Sequence, residues 1–98
     1  MSLTFAITPD AQADIQDAHS WYEARRIGRG DEFVVELYDR INEVCSTPKQ
    51  FGRVQRKVRA AMLPTSQFII YYRIESFGIV ITAVQHARAH PSKWKRRK

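Results

Sequence analysis

The stretch FIIYYRIESFGIVITAVQ, residues 68–85 of the 98-residue sequence, decides the fold. Phe68 to Ile74 is a run of β-branched and aromatic residues, which is typical of a central β-strand. Residues 75–78 read Glu-Ser-Phe-Gly and predict a turn, because serine and glycine suit tight changes of direction. Ile79 to Gln85 predicts the last strand, so the stretch as a whole predicts two adjacent antiparallel strands.

A third strand is expected just before this pair. From Val54 onward the hydrophobic residues recur with a period of two, as in a strand with one buried face. The alternation places Val58, Ala60 and Met62 on one face and Lys57, Arg59 and Ala61 on the other. Pro64-Thr65-Ser66 predicts the turn that follows. The three strands and their short turns therefore predict an antiparallel meander.

The N-terminal segment predicts a short strand and an amphipathic helix. Leu3, Phe5 and Ile7 alternate with smaller or polar residues, so we expect a strand over residues 2–7. Thr8-Pro9-Asp10 then supplies a capping hydroxyl, a proline with a helical φ and a negative charge at the positive helix end. The helix is predicted to run to Arg25, with Ala11, Ile15, Ala18 and Tyr22 on its apolar side and Asp14, Asp17 and Glu23 on its polar side.

A second helix is expected after the link Gly28-Arg29-Gly30. Asp31 is predicted to cap this helix, and Ser46-Thr47-Pro48 is predicted to end it. Its apolar stripe consists of Phe33, Leu37, Ile41 and Val44. The two helices are then an antiparallel hairpin. The sequence therefore predicts an α+β fold in the order β-α-α-β-β-β, a single domain over residues 1–98 with an N-terminal helical hairpin packed on an antiparallel sheet.

Charge is divided unevenly along the chain, whose formal net charge is +6. Residues 1–43 contain nine acidic and four basic residues, whereas residues 44–98 contain one acidic and twelve basic residues. The C-terminal tail, residues 87–98, contains six basic residues and no acidic residue. We expect the second half to bind an acidic partner.

Several classes of protein are excluded by the composition. A single cysteine cannot make an internal disulfide, and Cys45 is expected to be a buried core residue because it lies on the apolar side of the second helix. The one cysteine and the three histidines lack the ligand spacing of zinc sites, and no glycine-rich phosphate loop joins a strand to a helix. No segment has the length or the pattern of a membrane span or a signal peptide. We expect a cytoplasmic protein without metal, cofactor, membrane contact or small-molecule substrate.

Basic side chains on the predicted sheet are candidates for contacting phosphate. We expect Lys57, Arg59, Arg73 and His86 to converge on a shallow concave surface. Arginine binds phosphate with two parallel hydrogen bonds, and histidine transfers protons near neutral pH, which together suffice for attack by a ribose 2′-hydroxyl. The same charges are also consistent with an ordinary solvated sheet face.

Two further groups of residues are open to two interpretations. In the tail, Trp94 stands among bases that could contact phosphates and nucleobases, or it folds back and anchors the tail on the domain. The candidate contacts for an acidic target are Lys57, Arg59, Arg73, Arg88, Lys93, Trp94, Arg96 and Arg97. On the helices, the aromatic residues Trp21, Tyr22 and Tyr38 predict a surface for a protein partner.

Several motifs follow one another in a characteristic order along nearly the whole chain. They are Ala13-Asp14-Ile15, Trp21-Tyr22, Phe33 to Ile41, Val58-Arg59, Phe68 to Ile74, and Ile81 to His86 followed by Arg88, Pro91, Trp94 and Arg97. This order resembles the RelE/ParE superfamily of bacterial toxins. The resemblance implies the toxin of a type II toxin-antitoxin pair, neutralised by a cognate antitoxin. Members similar to RelE cut messenger RNA in the ribosome, whereas members similar to ParE act on DNA gyrase.

The resemblance favours the ParE branch. Arg59 matches the sheet arginine of the superfamily, and His86 lies where some RNA-cutting members carry a histidine. However, no tyrosine follows Tyr72, and the nearest carboxylate, Glu75, is in a predicted turn. The leading hypothesis is a non-enzymatic plasmid-stabilisation toxin that binds gyrase. The alternatives are a ribosome-dependent endoribonuclease, with Arg59, Arg73 and His86 as catalytic residues, and a non-toxic basic domain that binds nucleic acid.

Overall fold

A computed structural model describes residues 2–97. Its elements are β1 (Phe5–Ile7), α1 (Pro9–Arg25), α2 (Arg29–Ser46), β2 (Arg53–Gln55), β3 (Val58–Met62), β4 (Phe68–Glu75), β5 (Gly78–His86) and a 3-10 helix, Pro91–Lys93. The strands are hydrogen-bonded into one sheet in the order β1-β5-β4-β3-β2. The predicted α+β fold, with a helical hairpin on a sheet, is confirmed.

The sheet differs from the expected one in two respects. It is mixed rather than wholly antiparallel, because β1 pairs with β5 in parallel, with Ala6 opposite Val80. Hydrophobic alternation does not encode strand direction, so this could not be predicted from the pattern. The sheet also contains a short fifth strand, β2, because Arg56 adopts a positive φ of 39° and forms a tight turn with Lys57. Lys57 therefore lies in a turn and not on a strand face.

The ends of the elements follow local hydrogen bonding. As predicted, Thr8 caps α1, and its Oγ1 accepts a hydrogen bond from the N–H of Ala11 at 3.2 Å. The expected strand over residues 2–7 begins only at Phe5. The expected cap of α2 is wrong, because the helix begins earlier, after Gly28 with a φ of +89°. Asp31 instead lies inside the first turn of α2.

The main core lies between the helices and one face of the sheet. Its largest fully buried side chains include Phe33, Leu37 and Ile41 from α2 and Ile70 and Tyr72 from β4. Cys45 is also buried in this core, and burial raises the pKa of its thiol. Within residues 2–97, no helix is both long and apolar enough to cross a membrane.

A second, smaller core covers the opposite face of the sheet. Because neighbouring strand residues point to opposite sides, Tyr72 joins the main core while Tyr71 joins this second cluster. Trp94 from the tail stacks on Tyr71, with ring centroids 4.3 Å apart and planes at 12°. The tail is therefore packed on the sheet face that the helices leave open.

Candidate functional site

The three expected catalytic residues do not face one common site on the sheet. Arg59 lies opposite Tyr72, Arg73 lies opposite Val80, and His86 lies opposite Phe68. Val80 and His86 are separated by about 20 Å along β5, at roughly 3.3 Å per residue. Arg73 also follows the core residue Tyr72, so it points to the other face of the sheet. The expectation that these side chains converge with Lys57 is wrong.

Arg59 holds the segment after α2 against the sheet. Its guanidinium donates hydrogen bonds to the carbonyl oxygens of Phe51 at 2.6 Å and Lys49 at 3.4 Å. The hydroxyl of the neighbouring Tyr72 donates to the carbonyl of Pro48 at 2.6 Å. Burial raises the pKa of Tyr72 to about 12, although the charge of Arg59 acts in the opposite direction. Tyr72 therefore carries a neutral hydroxyl at physiological pH. The guanidinium of Arg59 is engaged in structural hydrogen bonds to backbone carbonyls.

Arg73 and His86 are also engaged locally. The Nε of Arg73 is 2.8 Å from a carboxylate oxygen of Glu75, so the positive charge is neutralised on its own strand. Nδ1 of His86 accepts a hydrogen bond from the N–H of Arg88 at 3.1 Å. The imidazole packs edge-on against Phe68, with ring centroids 5.4 Å apart. Arg73 and His86 thus make separate local contacts, Arg73 with Glu75 and His86 with Phe68 and the backbone of Arg88.

A mostly apolar cavity of about 400 Å³ lies between α1 and β5. It is lined by Asp14, Asp17, Ala18, Trp21, Phe68, Val84, Gln85 and His86. The side chain of Trp21, which is 50% exposed, forms one wall of the cavity. His86 therefore lines a mostly apolar recess under α1.

The tail divides into residues that hold it in place and residues that face solvent. Trp94 is only 8% exposed, so its ring is not offered to a nucleobase, and the anchoring interpretation is the one that the structure shows. Arg97 points inward to Asp14. The exposed cations of the tail are Arg88, Lys93, Lys95 and Arg96, and Lys98 lies outside the described residues.

Asp14 is the buried charge that sequence reasoning misplaced. It was expected on the polar side of α1, yet it is 8% exposed. Its carboxylate accepts hydrogen bonds from the N–H of Val84 at 2.9 Å and from the guanidinium of Arg97. The hydrogen bonds that Arg97 donates to Asp14 raise the pKa of Arg97. These contacts give hydrogen-bond partners to backbone groups on the edge of β5 beyond the end of β1. The helical pattern of the sequence does not show that a helix residue supplies them.

The aromatic residues expected to form one partner surface lie on separate parts of the molecule. Tyr22 packs against Phe33 and Phe68, and its hydroxyl donates to the carbonyl of Ser66 at 3.0 Å, so it belongs to the core. Tyr38 is 37% exposed and lies beside Phe5 of β1. Trp21, by contrast, lies at the far end of β5. Of the three expected residues, Trp21 and Tyr38 are therefore exposed, and they lie apart rather than in one patch.

His19, Glu23 and Asp31 come together at the link between the helices, a cluster that sequence reasoning missed because it searched for cysteine and histidine pairs. The side-chain atoms of these residues that could bind a metal ion lie within 4.8 Å of one another. Glu23 accepts hydrogen bonds from the N–H groups of Gly28 at 3.0 Å and Gly30 at 2.9 Å. Nε2 of His19 is 3.0 Å from Asp31. The carboxylates face the positive N-terminal end of α2, so we assign the cluster to closure of the helical hairpin.

Positive charge without a partner is concentrated in residues 49–59, which we call the basic hairpin. Its cations are Lys49, Arg53, Arg56, Lys57 and Arg59. Within residues 2–97 the ion pairs of the protein involve none of these five side chains. The sequence already indicates this basic segment, because no acidic residue lies between Glu43 and Glu75. The basic hairpin and the exposed cations of the tail are therefore the surfaces suited to acidic partners.

Comparison with known proteins agrees with this architecture. The chromosomal ParDE toxin-antitoxin system from P. aeruginosa matches with a TM-score of 0.77 and 18% identity, covering 87% of this chain and 96% of that chain. The RelBE2 toxin-antitoxin complex from Mycobacterium tuberculosis matches with a TM-score of 0.57 and 15% identity, covering 88% of this chain and 99% of that chain. No curated protein matches the sequence significantly. The model of the ParE toxin of type II toxin-antitoxin systems matches residues 5–91, so the chain belongs to this family and the resemblance to RelE/ParE toxins is confirmed.

Proposed function

We propose that this toxin inhibits growth by binding DNA gyrase in the cytoplasm, without catalysis, and that a cognate antitoxin neutralises it. The observation that carries the proposal is that Arg59 and Arg73 point to opposite faces of the sheet while His86 lies at the end of β5, opposite Phe68. Cleavage of RNA needs a general base within hydrogen-bond reach of the attacking hydroxyl and cations on the same phosphate. Here Arg59 contacts the carbonyl of Phe51, Arg73 pairs with Glu75, and His86 accepts from the N–H of Arg88. This arrangement supports a toxin that acts by binding, and membership of the ParE family supports gyrase as its target.

We assign the contact with the target to the exposed cations of the tail. Arg88, Lys93 and Arg96 are exposed, and the packing of Trp94 presents them on a fixed backbone. A preordered loop loses less conformational entropy on binding than a disordered one. Trp94 and Arg97 act in this proposal by positioning the tail, not by touching the target.

We assign a part of the antitoxin contact to the exposed aromatic residues. Trp21 and Tyr38 are 50% and 37% exposed, and large rings at the surface are typical anchors of protein interfaces. Tyr22 supports Trp21 from inside, since the two rings meet edge to face with centroids 5.0 Å apart. An antitoxin that covers both rings must span the helical hairpin.

The test is a supercoiling assay with purified gyrase, combined with sequencing of transcript 5′ ends after induction in a bacterial host. We expect the wild-type protein to block supercoiling and to leave messenger RNA intact. The double variant Lys93→Glu/Arg96→Glu is expected to need about tenfold more protein for the same inhibition, because charges at an interface rim control association. The control Arg25→Glu/Arg26→Glu makes the same change in charge at the end of α1 and is expected to inhibit like the wild type.

The nuclease alternative makes the opposite prediction. Cleavage within coding regions, in phase with codons and lost in the double variant Arg59→Ala/His86→Ala, would replace the gyrase proposal with ribosome-dependent cleavage. Circular dichroism of that variant separates loss of activity from loss of folding. Growth without arrest, together with salt-sensitive binding of the protein to naked DNA or RNA, would instead support a non-toxic nucleic-acid-binding domain.

A further inference from the structure

We propose that His19, Glu23 and Asp31 bind a divalent transition-metal ion of the Zn²⁺ type, which links the two helices of the helical hairpin. The inference goes beyond the proposed function and does not depend on it. It is carried by the distances between the three side chains, by the hydrogen bonds that orient Glu23, and by the space that Gly30 leaves beside them.

The three candidate ligands come from two helices that the fold brings together. His19 and Glu23 are four positions apart on α1, so their side chains lie on one face of that helix. Asp31 lies in the first turn of α2. Imidazole and carboxylate are both ligands of Zn²⁺, and a site with three protein ligands takes a water molecule as its fourth. The cluster therefore has the ligand types and the ligand number of an open Zn²⁺ site.

The candidate ligand atoms are close enough to share one ion. They lie within 4.8 Å of one another, and Nε2 of His19 is 3.0 Å from Oδ1 of Asp31. Two atoms bound to one tetrahedral Zn²⁺ lie about 3.3 Å apart, because each bond is about 2.0 Å long. The ion would take the place of the hydrogen between these two atoms after a small outward movement. Asp31 can make this movement, since its side chain is 82% exposed.

Hydrogen bonds to the backbone hold the carboxylate of Glu23 in place. Its Oε1 accepts from the N–H of Gly28 at 3.0 Å and of Gly30 at 2.9 Å, and its Oε2 accepts a longer bond from Gly28 at 3.2 Å. A carboxylate offers about four acceptor sites, so one remains for an ion. Carboxylates that bind metals are usually oriented by such outer hydrogen bonds. The same bonds compensate the positive end of α2, which would otherwise repel a cation.

Gly30 gives the cluster the room that it needs. An added Cβ atom at this position would lie 2.8 Å from Cδ2 of His19 and 2.8 Å from Cγ of Glu23. Any other residue would therefore push the imidazole and the carboxylate away from their present positions. The glycine lets α1 and α2 meet at the distance that places their ligands side by side.

Neighbouring cations are engaged outside the cluster. Arg26 pairs with Glu32 at 2.7 Å, and Arg29 lies over the ring of Tyr22 and donates to the hydroxyl of Ser66. The two carboxylate charges of the cluster match the charge of a divalent ion. The imidazole selects among divalent ions, because Mg²⁺ and Ca²⁺ prefer oxygen ligands whereas Zn²⁺ also binds nitrogen.

The experiment is isothermal titration calorimetry of the untagged full chain with zinc chloride and, separately, with magnesium chloride. We expect a single Zn²⁺ to bind per chain, and Mg²⁺ to bind at least about tenfold more weakly. Because the ion bridges two helices, it binds the folded chain. At a Zn²⁺ concentration about 100 times the Kd, the melting temperature is therefore expected to rise by about 10 °C.

Protein variants locate the site. His19→Gln and Asp31→Asn each remove a ligand and are expected to weaken Zn²⁺ binding by at least about tenfold. The exposed Asp31 is the position less critical for folding. The first control, Asp17→Asn, makes the same change in charge at an exposed residue of α1. The second control, His90→Gln, removes a histidine before the 3-10 helix of the tail. Both controls are expected to bind Zn²⁺ within about twofold of the wild type.

Four results would overturn the inference. They are no binding of Zn²⁺ by the wild type at concentrations up to about 1 mM, equal affinity for Zn²⁺ and Mg²⁺, unchanged affinity in both ligand variants, and loss of binding in His90→Gln. The comparison of the two ions uses the wild-type protein, so it holds even if a variant folds poorly. Failure of the gyrase assay would leave these measurements unaffected, and failure of Zn²⁺ binding would leave inhibition of gyrase standing.

Discussion

Asp14 of α1 and Arg97 of the tail form a bidentate ion pair, although they are 83 positions apart in the chain. The pair joins three parts of the fold, because Asp14 also accepts from the N–H of Val84, and Arg97 also donates to the carbonyl of Thr82 at 3.3 Å. Both contacts lie on the edge of β5 that β1 does not cover. The tail is thus attached to the sheet edge as well as to the open face.

Replacement of Asp14 by alanine is expected to lower the free energy of unfolding by about 3 kcal/mol, because it leaves the partly buried guanidinium of Arg97 without its carboxylate and the buried N–H of Val84 without a partner. The measurement is chemical denaturation followed by circular dichroism. Asp17→Ala is the control, since Asp17 is exposed on the same helix, and it is expected to change stability by less than about 0.5 kcal/mol. Equal effects of the two substitutions would contradict a special role for the Asp14–Arg97 pair.

Local patterns were sufficient for the elements whose signals are local. The β-branched run from Phe68 to Ile74, the cap at Thr8 and the apolar stripe of α2 all predicted their elements correctly. The cap of α2 was misplaced because Gly28 begins the helix through a positive φ while Glu23, from the preceding helix, binds the free N–H groups. That contact depends on the angle between the helices, which the sequence pattern does not specify.

The candidate site was predicted less well than the fold. Alternation along one strand says which residues share a face, but a site on a sheet also needs the register between strands. Arg73 and His86 were expected together because both follow strand patterns, yet pairing places them opposite Val80 and Phe68. Asp14 was assigned to solvent because no helical period distinguishes a charged residue that faces a strand edge from one that faces water.

Trp94→Ala is expected to release the tail from the sheet. The substitution removes a buried ring that stacks on Tyr71, and truncation of a buried tryptophan costs roughly 3 kcal/mol. Limited digestion with trypsin is expected to cut the variant faster than the wild type after Arg88, Lys93 and Lys95. The matched control is Trp21→Ala, because the Trp21 ring is half exposed, and its tail is expected to be cut at the wild-type rate. Equal cutting of the wild type and Trp94→Ala would contradict the anchoring role.

Gly30→Ala is expected to destabilise the helical hairpin. A Cβ atom at this position would lie 2.6 Å from the backbone oxygen of His19, and that oxygen cannot move without shifting α1. Overpacking of this kind costs about 1 to 3 kcal/mol, so the melting temperature is expected to fall by several degrees. Gly52→Ala is the control, since nothing lies within 4 Å of its added Cβ. A melting temperature of Gly30→Ala equal to that of Gly52→Ala would show that the helices separate easily at the link.

The buried phenol of Tyr72 predicts a loss of stability in alkaline solution. Burial raises its pKa from the ordinary value of 10.0 to about 12, so folding favours the protonated form. A group whose pKa is higher in the folded state contributes full stability below the unfolded pKa and loses that contribution as pH rises through the folded pKa. Between pH 10 and pH 12 we therefore expect the free energy of unfolding to fall by about 2 kcal/mol from this group alone.

The measurement is urea denaturation at several pH values, compared between the wild type and Tyr72→Phe. The variant loses the hydrogen bond to the carbonyl of Pro48, so it is expected to be about 1 kcal/mol less stable at neutral pH. Its stability is expected to fall less steeply between pH 10 and pH 12, because no phenol remains at this position to ionise. Tyr38→Phe is the control, because Tyr38 is 37% exposed, and it is expected to keep the wild-type slope. Parallel slopes for the wild type and Tyr72→Phe would show that the Tyr72 phenol ionises without unfolding the core, against the burial that the structure gives it.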